Sequence, residues 1–220
     1  WESLRQGLPV TPVHDIAVTE RDLVIGTHGR GFYVMDNIAP LRELRSEAVA
    51  GSSLLHLFTP QTARRGLDRG VTFDYSLETP VKDLRIEILD ANGGSIRTFT
   101  NSEAEAAKAA AAPPSVTEDS PRRPQEPKPP VVQGHHRVNW DLRYPGATEF
   151  PGLIMWAASS RGPLAPPGSY QVRLTADGVT QTRPFRIERE TRLLKDVTDA
   201  DLQAQFDLAM QVRNKASQAN

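Results

Sequence analysis

The stretch that most limits what this chain can become is "DLVIGTHGRGFYVMD", residues 22 to 36. Leu23, Val24 and Ile25 are apolar in succession, and so are Phe32, Tyr33, Val34 and Met35. Side chains on a strand alternate between faces, so two such strands are apolar on both sides. A lone hairpin cannot cover two apolar faces. A sheet packed between two neighbours can. The pattern predicts three short strands near 14–18, 22–27 and 31–36, with Glu20-Arg21-Asp22 and His28-Gly29-Arg30 as the polar turns.

Gly26, Gly29 and Gly31 invite a phosphate-binding reading, but the context is wrong for one. A dinucleotide loop opens a helix, whose amides then face pyrophosphate, whereas "FYVMD" is a strand. A phosphate loop of the Gly-Lys-Ser/Thr kind is absent. A tight turn explains the glycines, because Gly29 or Gly31 can take the positive φ that it needs. His28 and Arg30 then have two readings. One is a solvated turn; the other is a polar binding contact at a rim where loops gather.

Beyond this hairpin, Pro40 suits the first turn of a short helix in "NIAPLRELRSE", and "LLHLF" at 54–58 is a further short strand. From about residue 70 the pattern alternates through "GVTFDYSL" and "VKDLRIEILDANGGSIRTF". Asn92-Gly93 marks a hairpin, since both residues tolerate positive φ. Residues 101–133 break the composition: an alanine-rich polar part is followed by "PPSVTEDSPRRPQEPKPP". Proline at that density removes backbone donors, so a disordered insertion is expected. Order resumes with "HHRVNWDLRYPG", which sets Val138, Trp140 and Leu142 on one face. A short strand follows at "PGLIMWAA". Next come Tyr170, Val172 and Leu174, an Asp177-Gly178 turn, and Phe185 and Ile187 on a facing strand. Strands of this length with regular turns indicate a β-sandwich. Thr198 and Asp201 form a capping box, and Leu202, Phe206, Ala209 and Met210 recur at helical spacing, with Leu208 and Val212 widening that side.

Composition removes several function classes. The formal net charge is −1, so no strong field draws nucleic acid. There is no cysteine, hence no disulfide framework and no thiolate zinc site. No apolar run approaches the roughly 18 residues that span a bilayer. The opening Trp1-Glu2-Ser3 reads as the continuation of sequence further upstream, where any targeting signal would lie. His14-Asp15 and His135-His136 do not form metal sites by themselves, because adjacent strand residues point to opposite faces. No nucleophile elbow is present, and Asp15, Glu20, Asp22 and Asp36 match no acid–base motif. No catalytic residue, metal ligand or cofactor is assigned. Trp156 is a candidate aromatic platform for a sugar, while Trp140 reads as core.

At "PVHDIAV" and "DLVIGTHGRGFYVMDNIAPLREL" the chain resembles the last blade of bacterial BNR-repeat β-propellers. These are the sortilin-like or sialidase-like proteins often labelled glycosyl hydrolases. Trp1 suits the terminal tryptophan of an Asp-box, Ser-x-Asp-x-Gly-x-x-Trp, although no complete Asp-box lies inside the chain. "GHHRVNWDLRYPG" through "PPGSYQVRLTADG" resembles the immunoglobulin- or fibronectin-like domain of the flagellar hook-capping protein. The tail "VTDADLQAQFDLAMQVRNKASQAN" is similar to the helix that ends this propeller–sandwich family.

The resemblance implies an all-β chain: a propeller blade over 1–58, an immunoglobulin-like sandwich over 59–190 with the insertion 101–133, and a C-terminal helix over 197–220. It implies upstream blades of the same chain as the partner, a protein or glycan ligand, and an extracellular or periplasmic location. The expected function is a non-catalytic structural or adhesion module that closes an exported propeller. Two alternatives stand beside it: the accessory end of a sialidase-like glycoside hydrolase, and a protein-binding module of sortilin type. A sialidase-like site draws its arginines and its tyrosine–carboxylate pair from several blades, so one blade cannot supply it. His28, Arg30 and Trp156 remain as binding candidates.

Overall fold

A computed structural model describes residues 8–43, 54–68, 70–102, 128–148 and 161–219. The chain is mostly β-strand and ends in a helix. It divides into two compact units, Trp1–Gly51 and Ser52–Asn220.

The first unit is a three-stranded antiparallel sheet in the order β1-β2-β3, formed by β1 (Val13–Val18), β2 (Leu23–Thr27) and β3 (Phe32–Met35). The helical turn α1 (Ala39–Glu43) follows, with Pro40 in its first turn. Directly opposed residues share a face, so the register places Ile16, Ile25 and Tyr33 together on one side and Val24 and Val34 on the other. No residue of these strands is buried. Ile16 is 57 % exposed and Val18 63 %, while on β3 Phe32 is 81 % and Val34 61 % exposed. Both faces thus carry apolar side chains in water. Among the described residues of this unit, only Ile38 and Pro40 are buried. Ile38 is pinned by its amide, which donates to the Arg21 carbonyl at 2.8 Å.

The second unit has two sheets over a common core. One is β4 (Leu55–Leu57), β6 (Val71–Leu77) and β9 (Gly134–Trp140), in the order β4-β6-β9. The other runs β5-β11-β10-β7-β8, from β5 (Ala63–Arg65), β7 (Leu84–Leu89), β8 (Ser95–Thr100), β10 (Gly168–Ala176) and β11 (Val179–Arg189). All pairings are antiparallel except β5 with β11. The period-two pattern explains the core: Phe73, Tyr75, Val138 and Trp140 from one sheet meet Ile86, Ile88, Val172, Leu174, Phe185 and Ile187 from the other. Phe73 and Phe185 cross at 69° with ring centroids 5.4 Å apart, which ties the sheets together.

Two expectations change. The strand at 54–58 does not belong with β1–β3. It forms β4, pairs with β6, and has Leu55 and Leu57 fully buried, so the boundary falls between 51 and 52 rather than at 58. The expected hairpin at Asn92-Gly93 joins β7 to β8, with Gly93 at positive φ, 82°. Asp90 closes it, its Oδ1 accepting from the amides of Asn92 and Gly94, both at 2.8 Å. Of the expected insertion 101–133, residues 103–127 lie outside the described ones, but its end is held: the Tyr75 hydroxyl donates to the Pro130 carbonyl at 2.7 Å, and the Val81 amide to Val131 at 2.9 Å. The expected strand at "PGLIMWAA" also lies outside the described residues.

The helix α2 (Asp199–Ala219) starts at the expected capping box. The Thr198 amide donates to Asp201 Oδ2 at 2.8 Å, and the Asp201 amide donates back to Thr198 Oγ1 at 3.1 Å. Leu202 is buried, and Phe206 packs on Tyr144 with centroids 4.7 Å apart. Leu208 and Val212 do not widen that side. At about 100° per residue Leu208 falls on the far side of the helix from Leu202 and Phe206, Val212 falls on its flank about 80° from Leu202, and both are exposed.

Candidate functional site

The hairpin between β2 and β3 is built by its glycines. Gly29 has φ 73° and Gly31 φ 76°, so both, rather than one, take the left-handed conformation. The Thr27 hydroxyl donates to the Gly31 carbonyl at 2.7 Å and closes the loop. His28 is anchored from the other side. Its amide donates to the Pro12 carbonyl at 3.1 Å, and its own carbonyl accepts from the Thr11 hydroxyl at 3.3 Å. Its ring lies 4.9 Å from the ring of His14, tilted by 33°. Arg30 is exposed in the same loop. The structure therefore holds His28 and Arg30 on one turn and brings His14 to it, while Trp156 lies outside the described residues.

His14 was missed as a neighbour of His28 because the sequence sets it beside Asp15. The signal was present in the strand pairing. Val13 opposes Thr27, so His14 and His28 are diagonal neighbours across β1 and β2, and a bulge between Val13 and Asp15 makes room for His14.

A second polar cluster lies at the end of β11, around a groove of about 340 Å³ lined by Arg64, Glu188, Arg189, Glu190, Thr191 and Arg192. Glu190 is buried and accepts from Arg192 Nε at 2.8 Å and Nη2 at 3.1 Å, and Arg64 stands 3.7 Å away. The hydrogen bond from Arg192 pulls the Glu190 carboxyl down to about 2. Arg189 is occupied too, donating to Asp199 Oδ1 at 3.0 Å and to the Leu194 carbonyl at 2.8 Å. Each arginine of the groove meets a carboxylate, so the cluster holds the 190–198 turn and the start of α2 against β5 and leaves no excess charge for an anion. Nothing in the sequence sets these residues apart: Arg192 lies two residues from Glu190, but Arg64 is brought to it only by the pairing of β5 with β11.

A third cluster crosses the outer face of β6 and β9. Asp74 is buried, accepts from Arg137 Nε at 2.9 Å and lies 3.3 Å from His135 Nε2. Burial acts to raise its pKa, but the hydrogen bonds from His135 and Arg137 prevail and hold the carboxyl below its ordinary value. Among the described residues, no group of three or more His, Cys, Asp or Glu side chains is placed to hold a metal ion. No helix of the described residues is long and apolar enough to cross a membrane.

No family model matches the chain, and no curated protein matches it. Among solved structures it is similar to the crystal structure of CopC from Methylosinus trichosporium OB3b, at 12 % identity and a TM-score of 0.29, over 60 % of this chain and 87 % of that one. A likeness at that score carries no argument about fold or function.

Proposed function

We propose that this chain is a non-catalytic structural module that closes and steadies an exported β-propeller protein. In this reading β1–β3 is part of one blade, whose partners are further blades of the same protein. The two-sheet unit is an immunoglobulin-like sandwich, and α2 completes it. The observation that supports the reading most is the first unit's sheet. Ile16 and Val18 on one face and Phe32 and Val34 on the other stand in water. Burying a side chain of this kind is worth roughly 1.5–3 kcal/mol, so a sheet exposed on both faces gains stability from a neighbour on each side.

The test compares the 220-residue chain with one extended upstream by further blades of the protein. The shorter chain should bind a hydrophobic dye and self-associate, and the double variant Ile16→Lys, Phe32→Lys should do neither. In the extended chain the dye signal should vanish, and the same double variant should unfold the blade. A 220-residue chain that is monomeric and dye-silent, with an extended chain indifferent to both substitutions, would defeat the proposal. Glycan binding lost on Trp156→Ala would favour the accessory end of a glycoside hydrolase instead. Capture of a protein lost on Leu208→Asp would favour the sortilin-type reading. Leu208 suits that test better than Phe206, because it is exposed whereas Phe206 packs on Tyr144.

A further inference from the structure

We propose that His14 and His28 form a two-imidazole site for a divalent transition-metal ion of the nickel–copper–zinc class. The inference is independent of the scaffold reading, since it depends only on the pairing of β1 with β2. Imidazole nitrogen binds such ions at about 2.0–2.1 Å, and a ring radius of about 1.1 Å places each centroid about 3.2 Å from the ion. Two rings in adjacent positions, at angles of about 90° to 109°, then have centroids about 4.5–5.2 Å apart. The observed separation is 4.9 Å. A flush stack would bring the rings closer and parallel, but here they are tilted by 33°.

The backbone fixes the spacing. His28 is tied to Pro12 and Thr11 by two hydrogen bonds, and the bulge between Val13 and Asp15 sets His14 beside it. Both rings are exposed, so an ion reaches them and solvent completes its coordination. Two charged groups stand close in sequence. Asp15 Oδ1 accepts from the Ile16 amide at 2.8 Å, and Arg30, exposed in the hairpin, opposes a cation. The site is therefore a modest one whose selectivity comes from the nitrogen donors: nickel is taken up in preference to manganese, as imidazole ligation requires.

The test uses the full 220-residue chain, with Ni²⁺ and Mn²⁺ as probes in equilibrium dialysis and with the histidine ring resonances followed by NMR. Saturable uptake of one Ni²⁺ per chain is expected, with the His14 and His28 resonances broadened first and no Mn²⁺ taken up at the same concentration. Uptake should be lost in His14→Ala and in His28→Ala, with circular dichroism unchanged, and kept in a triple variant His56→Ala, His135→Ala, His136→Ala. Arg30→Gln should tighten binding. Absence of saturable uptake, or uptake that survives His28→Ala, would reduce the pair to a ring contact only and overturn the proposal.

Discussion

Gln181 on β11 and Leu57 on β4 are joined as one strand would join another. The Leu57 amide donates to Gln181 Oε1 at 2.8 Å, and Gln181 Nε2 donates to the Leu55 carbonyl at 2.7 Å. Arg183, two residues on, donates from Nε to the Leu57 carbonyl at 3.0 Å. Side chains of one sheet thus satisfy the backbone edge of the other, and the two sheets curl together along β4 and β11. Gln181→Leu keeps much of the volume but leaves the Leu57 amide without this acceptor. The expected loss is about 1–3 kcal/mol in urea unfolding, against under about 1 kcal/mol for a surface substitution such as Thr180→Ala. An unchanged midpoint would show that the clasp contributes nothing.

Arg137, with His135, is one of two donors that hold the Asp74 carboxyl below its ordinary value. Arg137→Met retains the stem but removes the charge and the 2.9 Å hydrogen bond to the buried Asp74 carboxylate. A loss of about 1.5–3 kcal/mol is expected, the range for hydrogen bonds to charged groups. The double variant Arg137→Met, Asp74→Asn should recover part of it, because the uncompensated charge is gone. Full additivity of the two single effects would contradict this coupling.

Acid should unfold the second unit through Asp74 and Glu190. Both carboxyls have folded values below their ordinary ones, so the folded state resists protonation and the unfolded state binds protons first. For Glu190 the stabilisation is complete above its ordinary value of 4.5 and fades as the pH falls toward about 2. Stability should therefore stay level through neutral and mildly acidic pH, then drop below about 4.5. In Arg192→Gln the drop should be shallower, since Glu190 then titrates nearer its ordinary range in both states. Thermal melts between pH 7 and pH 2.5 on the wild type and this variant decide the matter.

Thr198 caps α2 through its hydroxyl, which receives the Asp201 amide and donates to Asp201 Oδ2 at 2.7 Å. Thr198→Ala removes both contacts at the first turn and should cost about 1 kcal/mol. Thr198→Ser should restore it. The cost should appear as faster amide exchange in the first turn of α2, near Leu202, before any change in the sheets.

Local and periodic signals along the chain account for a good part of this fold. Alternation located β10, β11 and the apolar faces of β6 and β9, since a strand that puts Val138 and Trp140 on one side must bury that side. The threonine and aspartate three residues apart fixed the start of α2, and the glycines of the hairpin fixed its turn. Those signals lie within a few residues of one another, where backbone sterics and side-chain direction are set by neighbours in the chain. The membership of β4 was not legible in this way, because a short apolar strand carries no label for its partner. Only pairing with β6 and the clasp from Gln181 assign it to the second unit. Asp74, Glu190 and the His14–His28 pair were hidden for the same reason. Arg137 of Asp74, Arg64 of Glu190 and the second ring of the histidine pair all come from other elements, and an ordinary aspartate, glutamate or histidine gains such a partner only when the sheet register brings distant side chains within a few ångströms.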